Sequence, residues 1–290
     1  MRRHPIIAGC AIVTFLALIL LVVATVIWGP GDKSGFFSGG KVAVVEIKGV
    51  IFESREILKE LHEHRRNDSI RAIVVRIDSP GGAVGPSQEI YATLKEIDVE
   101  KPVVVSMGAV AASGGYYIAL GSRKIVANPG TITGSIGVII EISNIEGLMK
   151  WAKIRQEIIK SGPYKDIGSP FRSLTNDERD KLQAFVDDIF NQFVDAVATN
   201  RKLEKEEVLK LADGMIYSGR QALDLGLIDK LGALDDAIRI AAQEAGIEGE
   251  PSVVYPSEKG KWKQLLEGEI PALKGIIPWE GIRVMYLLRL

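Results

Sequence analysis

The sequence is poor in the residues that most often staple a fold or hold a metal. Its single cysteine, Cys10, leaves no intramolecular disulfide to form and no cysteine-based zinc site to build, so stability must come from packing. Histidine is nearly as scarce. His4 stands near the start, while His62 and His64 fall in the charged run Glu60-Leu61-His62-Glu63-His64-Arg65-Arg66, which reads as a solvated helix. Two residues apart, they do not share a helix face, where ligand pairs need steps of three or four, so neither a metal nor another cofactor is expected. An excess of one charge is missing as well: 36 basic side chains face 37 acidic ones, a formal net charge of -1. No global field attracts a polyanion, and nucleic acid is not an expected partner.

What the sequence has in quantity is apolar residues, 47% of 290, enough for one sizeable core. They include an uncharged run from Ile6 to Trp28, and a helix needs about 20 such residues to cross a bilayer. Arg2, Arg3 and His4 precede the run and Asp32 follows it, which predicts a cytoplasmic flank at 1–5, a single-pass anchor in the cell membrane at 6–28 and an extracytoplasmic remainder. The run exceeds the roughly 7–15 apolar residues of a cleaved secretory signal, and no small-x-small site follows it. Residues 29–40, rich in glycine and serine, read as a flexible linker to a folded domain at 41–248. The extension 249–290 carries Trp262, Trp279 and the apolar ending Val284-Met285-Tyr286-Leu287-Leu288. Three readings stay open for it: a membrane-surface segment, a cover for a neighbouring subunit, or a partly disordered tail.

Within the folded domain, strand-like and helix-like patterns alternate. Strands are expected at Lys41 to Ile51, Ile70 to Ile77, Pro102 to Ser106 and Lys124 to Ala127, with helices at Arg55 to Arg66, Pro86 to Ile97 and from about Ser113. Such alternation implies an α/β domain with a mainly parallel sheet. Farther on, a strand is expected near Val138 to Ile142 and a helix near Glu146 to Lys153. A long helix from Asn176 to Arg201 follows, with Leu182, Phe185, Val186, Ile189, Phe193, Val194 and Val197 in one core-facing stripe.

The chemistry-bearing candidates lie at strand ends. In Gly108-Ala109-Val110-Ala111-Ala112-Ser113-Gly114-Gly115-Tyr116-Tyr117, one hydroxyl stands among small residues between a buried strand and a helix start. Small neighbours admit a substrate, and N–H groups at a helix start can face a developing oxyanion. A serine beside glycine is ordinarily only a helix cap. A second device shifts that balance: the turn Asp78-Ser79-Pro80-Gly81-Gly82 ends the preceding strand, so it can supply one oxyanion donor and Gly114 the other. With no histidine after Ser113, a lysine is the alternative base, provided desolvation or nearby positive charge lowers its pKa. Lys165, in Ser161-Gly162-Pro163-Tyr164-Lys165-Asp166, sits in a turn-rich segment that can reach into a cleft, although a lone loop lysine is usually solvated.

Together, Asp78 to Gly82, Ala111 to Tyr117, the segment Thr131-Ile132-Thr133-Gly134-Ser135-Ile136-Gly137 and Ser161 to Lys165 resemble the signal peptide peptidase A family of serine peptidases. The resemblance covers about Lys41 to Ala245. It implies a Clp protease/crotonase-like spiral of ββα units, with Ser113 as nucleophile, Lys165 as base and Ser135 orienting the lysine amine. It further implies peptide substrates, remnant signal peptides above all, and a homo-oligomer in which a neighbouring subunit completes each site. The spacing of Ser113 and Lys165 resembles the short, single-domain branch. Three competing readings are a membrane peptidase that processes one partner protein, as in the NfeD-type peptidases acting on stomatin-like proteins, an acyl-CoA-binding crotonase, and a non-catalytic membrane scaffold.

Overall fold

Valine- and isoleucine-rich runs buried on both faces set the centre of the structure, a computed structural model that describes residues 40–256 and 284–288. In chain order the elements are β1 (Lys41–Lys48), α1 (Arg55–Arg66), β2 (Ile70–Ser79), β3 (Gly81–Ala83), α2 (Val84–Glu100), β4 (Val103–Ala112), α3 (Gly114–Ala119), β5 (Lys124–Ala127), β6 (Ile132–Gly134), β7 (Ile139–Ile140), α4 (Glu146–Trp151), α5 (Asn176–Arg201), α6 (Lys205–Leu211), β8 (Ile216–Ser218), α7 (Gly219–Asp224), β9 (Lys230–Leu231), α8 (Leu234–Glu244), β10 (Ser252–Val254) and β11 (Val284–Leu287). Strands β10, β1, β2, β4, β5 and β9 lie side by side in that order, all parallel. The fold is thus mixed α/β with a mainly parallel sheet.

Alternation along each strand sends side chains to two different layers. Val42, Val44, Val74, Val104 and Val126 pack under α8 against Ala237, Ile238 and Ala241. Their neighbours Val45, Ile73, Val75, Val103 and Val105 face the larger core, where Leu61, Ile90, Leu94 and Phe193 close over them. Burying a Val, Leu or Ile completely contributes roughly 1.5–3 kcal/mol, and these strands have it on both faces, which is why they read as nearly continuous apolar runs.

β4 changes partner along its length. Val104–Met107 pair with β5, whereas Val110–Ala112 pair with β6, which in turn carries β8 antiparallel. The register with β2 shifts over the same stretch, from Ile77 opposite Met107 to Ser79 opposite Ala111. Two side chains fill this fork: Asp78 accepts from the Val110 N–H at 3.1 Å, and the Thr131 hydroxyl donates to the Gly108 carbonyl at 2.7 Å.

Three expectations need revision. The turn at Ser79 to Gly82 is instead the end of β2 and the start of β3, because Gly81, Gly82 and Ala83 pair antiparallel with Leu287, Tyr286 and Met285. Residues 284–287, expected on a membrane surface, on another subunit or in a disordered tail, are that partner strand, and β11 also pairs with β7. In α5 the Thr175/Glu178 capping box and the left-handed Lys202 fix the expected ends, but only the second half of the apolar stripe is buried. Phe185 is exposed, and Leu182 and Val186 line a cavity of about 600 Å³ together with Ile139, Ile140 and Arg172. Among the described residues no helix is long and apolar enough to cross a membrane, and the predicted anchor at 6–28 lies outside them.

Candidate active site

β4 delivers Ser113 to the end of the sheet and α3 begins on the next residue. Ser113 has φ 54° and ψ -116°, a region that favours glycine, yet it is held there from both sides. Its N–H donates to the Gly134 carbonyl at 2.8 Å, and its own carbonyl accepts from the Tyr117 N–H at 2.8 Å. Non-glycine residues in such backbone states cost about 1–3 kcal/mol and persist only where the surroundings over-determine them. The result is a 1% exposed serine on a sharp strand-to-helix bend.

The glycine elements converge on that bend. A β-carbon added to Gly114 would lie 2.8 Å from Ser87 Oγ, 3.1 Å from the Gly82 nitrogen and 3.2 Å from Gly81 Cα. Only glycine permits this approach, and it brings the backbone nitrogens of Gly82 and Gly114 to one locality. Gly81 plays a different part: its N–H donates to Ser79 Oγ at 3.0 Å, and its φ of 102° turns the chain into β3. The backbone nitrogens of Gly82 and Gly114 are thus gathered beside Ser113, with Gly81 as the spacer that lets them meet.

Ser135 lies beside Ser113. Ala112 and Gly134 are register partners in β4 and β6, so both serines are the first residues past neighbouring parallel strands. Ser135 also has a positive φ, 50°, and is 7% exposed, with its N–H donating to the Met215 carbonyl at 2.8 Å. Lys165 is elsewhere in its environment. It is exposed, in the turn-rich stretch between α4 and α5, and no hydrogen bond or ion pair joins its side chain to Ser113 among the described residues.

The loop that carries Lys165 is nonetheless tied down. Arg172 grips Asp166 at 2.8 Å through both Nε and Nη2, and Glu178 at 2.8 and 2.5 Å through Nη1 and Nη2. Lys160 adds a 2.5 Å bond to Asp166, and the Tyr164 hydroxyl donates to Asp177 at 2.6 Å. The Arg172 guanidinium and the Thr175 N–H lower the Glu178 carboxyl to about 2, and Arg172 with Lys160 holds Asp166 well below its usual range. Depressed carboxyl pKa values stabilise the folded loop above the ordinary value, 4.5 for Glu178, and that contribution disappears as pH falls towards about 2. Amide hydrogen exchange over residues 160–172, taken relative to the intrinsic rate at each pH, should accordingly rise on acidification across that window. Arg172→Ala should give the same raised exchange at neutral pH; unchanged exchange would mean that the arginine does not hold the loop.

Two family models match the chain: Peptidase family S49 over residues 95–248, a stretch that contains Ser113, Ser135 and Lys165, and Clp protease over residues 47–131. The chain belongs to peptidase family S49. Among its relatives, a putative protease of Synechocystis sp. is 48% identical over 72% of this chain and 76% of its own length. A putative signal peptide peptidase SppA of Enterococcus faecium is 31% identical over 85% of this chain and 74% of its own. Protease 4 of Salmonella typhi is 32% identical over 86% of this chain, which spans only 41% of that longer protein. In fold, the S49 chain is similar to a membrane-bound stomatin-specific protease, with a TM-score of 0.51 at 18% identity over 77% of this chain and all of that one.

Sequence reasoning overlooked Ser87, Tyr117, Phe193 and Tyr286 as neighbours of the site. Tyr286 stacks on Tyr117 with centroids 5.2 Å apart and meets Phe193 at 4.7 Å. The aromatic side chains of Ser113's own motif were visible in the sequence, but the partner that covers them lies far along the chain.

Proposed function

We propose that this S49 peptidase is a membrane-anchored serine endopeptidase that degrades apolar peptides, remnant signal peptides foremost, with Ser113 as nucleophile and Lys165 as general base. The observation that carries the reading is Ser113 itself, held at φ 54° on a strand tip with the Gly82 and Gly114 nitrogens gathered beside it. A neutral Lys165 amine takes the Ser113 proton as Oγ attacks the peptide carbonyl, and the two N–H groups receive the oxyanion. The lysine returns the proton to the leaving amine, then activates the water that hydrolyses the acyl-enzyme. Ser135, next to Ser113, orients the amine. Residues 6–28 hold this site at the membrane, on the extracytoplasmic side, where apolar fragments accumulate.

An exposed Lys165 and a buried Ser113 within one chain favour assembly as the step that joins them, with Lys165 of a neighbouring subunit entering each site. Co-expression of Ser113→Ala and Lys165→Ala chains tests both parts. Each variant alone should be inactive on an apolar fluorogenic peptide, and mixed oligomers should regain activity because some sites combine an intact serine with an intact lysine. Mixed oligomers that stay inactive would place the base within the same chain. Full activity of Lys165→Ala alone would remove it as the base. Processing of one membrane protein is the second reading, prompted by the shared fold with the stomatin-specific protease. Incubation with apolar peptides and with candidate membrane proteins separates the two.

A further inference from the structure

Ser135 stands at φ 50° on the residue after β6 ends, and a side chain persists in that state only where its surroundings hold it. The hold comes from outside β6. The Ser135 N–H donates to the Met215 carbonyl at 2.8 Å, while the carbonyl of the same peptide unit, that of Gly134, accepts from the Ser113 N–H at 2.8 Å. One planar peptide group therefore has Met215 on one side of it and the Ser113 bend on the other. Rotating that plane would loosen both bonds together.

What aims the Met215 carbonyl is a turn at the start of β8, a strand paired with β6. Downstream, β8 is secured: the Tyr217 hydroxyl donates to the Leu211 carbonyl at 3.2 Å, and Ser218 and Gln221 form a reciprocal cap on α7. β6 is secured as well, since the Thr133 hydroxyl donates to the Ala111 carbonyl at 2.8 Å. Upstream of Met215 the chain turns through Gly214, at φ 86°, and the Met215 N–H donates to Asp213 Oδ1 at 2.9 Å. Asp213 thus closes a side-chain turn two residues ahead of itself. Gly134 shows how closely the turn is seated. At φ 78°, a β-carbon on it would lie 2.6 Å from Tyr217 Cδ2 and 3.2 Å from the Met215 carbonyl oxygen.

We infer that Asp213 is a positioning residue for the reaction: it closes the turn that aims the Met215 carbonyl at the 134–135 peptide, and through that peptide it sets the bend at Ser113 and the placement of Ser135. The parts given to the two serines rest on the peptidase reading above. The bond to the Met215 N–H requires an acceptor oxygen and no charge, so asparagine can replace the carboxylate whereas alanine cannot. Asp213 is exposed, and its removal opens no cavity in the core. Misplacing a reacting group by about 1 Å can slow a reaction about a hundredfold. Such a loss falls on kcat and leaves KM in place when the substrate contacts are untouched.

Asp213→Ala in the full chain should lower kcat on an apolar peptide by about ten- to a hundredfold with KM unchanged, and Asp213→Asn should keep the activity of the unaltered chain. Hydrogen exchange at the Ser113 and Ser135 amides, read one amide at a time against the intrinsic rate, supplies a measure independent of cleavage. It should quicken at both by about tenfold in Asp213→Ala and at neither in Asp213→Asn. Gly214→Ala breaks the turn independently. A β-carbon there meets nothing within 4 Å, but φ 86° disfavours it, so both readouts should move as they do for Asp213→Ala. Should either of these two variants fail to fold, the other carries the test. Unchanged exchange at the two amides, faster exchange with full kcat, or an Asp213→Asn chain as slow as Asp213→Ala overturns the inference. No cleavage by the unaltered chain, with exchange responding as expected, would sink the peptidase reading and leave the brace on the two serines standing.

Discussion

Ser113→Ala should lower kcat/KM on apolar peptides by about 10⁴-fold or more, since only the oxyanion donors and substrate binding would remain to accelerate hydrolysis. The fold should survive, because the side chain removed is small and the backbone bonds to Gly134 and Tyr117 do not depend on it. Ser113→Gly separates strain from chemistry. It should be equally inactive, yet unfold at a higher temperature than the alanine variant, because glycine adopts φ 54° without the cost of about 1–3 kcal/mol borne by any side chain there. The checks are steady-state cleavage and a thermal melt of the three proteins. An alanine variant that still cleaves would show that Ser113 is not the nucleophile, and a glycine variant no more stable than alanine would show that the bend stores no strain.

Gly81→Ala should cost about 10²–10³-fold in kcat without touching a reacting group, the effect expected when one oxyanion donor is displaced. The added methyl would press 2.1 Å from the Tyr286 carbonyl oxygen and 2.7 Å from the Gly114 nitrogen, and a φ of 102° is in any case unsuited to alanine. β3 would have to move away from α3, separating the Gly82 and Gly114 nitrogens. Gly85, in the first turn of α2, is the control: a β-carbon there meets nothing within 4 Å, so Gly85→Ala should leave cleavage unchanged. Retention of full kcat by Gly81→Ala, with a normal melt, would mean that the strand carrying Gly82 takes no part in catalysis.

The parts of this fold legible in the sequence are those whose signals are local. The apolar strands β1, β2, β4 and β5 announce themselves because both of their faces are buried, and α5 because its apolar residues recur at three- and four-residue steps. The change from strand to helix at Ser113 was legible in the same way, from the small residues on either side of it, while the Gly134 carbonyl that helps to hold the bend was not. β3 was not. Glycine has little strand propensity, and Gly81-Gly82-Ala83 becomes a strand only because residues 285–287, some 200 positions later, lie against it. The same distant partner limits β7 to Ile139 and Ile140 within the longer run expected at 138–142. The outer half of the α5 stripe was misjudged because periodicity reports an apolar face and not what covers it; Leu182 and Val186 face a cavity. Ser135 beside Ser113 follows from β4–β6 register, which no spacing in the sequence encodes. Lys165 is the residue for which a single chain is least informative, because the contact proposed for it is made between chains.

The fork in β4 has a consequence for anyone who would re-engineer this peptidase. Before the fork, the strand is a structural beam locked between β2 and β5; beyond it, the strand belongs with β6 and carries the bend at Ser113. Asp78 and Thr131 pin the junction, so the stretch from Gly108 to Gly137 behaves as a cassette seated on an unchanged chassis. Transplanting that stretch from another S49 peptidase, with Asp78 kept as its dowel, would exchange the bend at Ser113 and its immediate surroundings while leaving the load on the beam where it was.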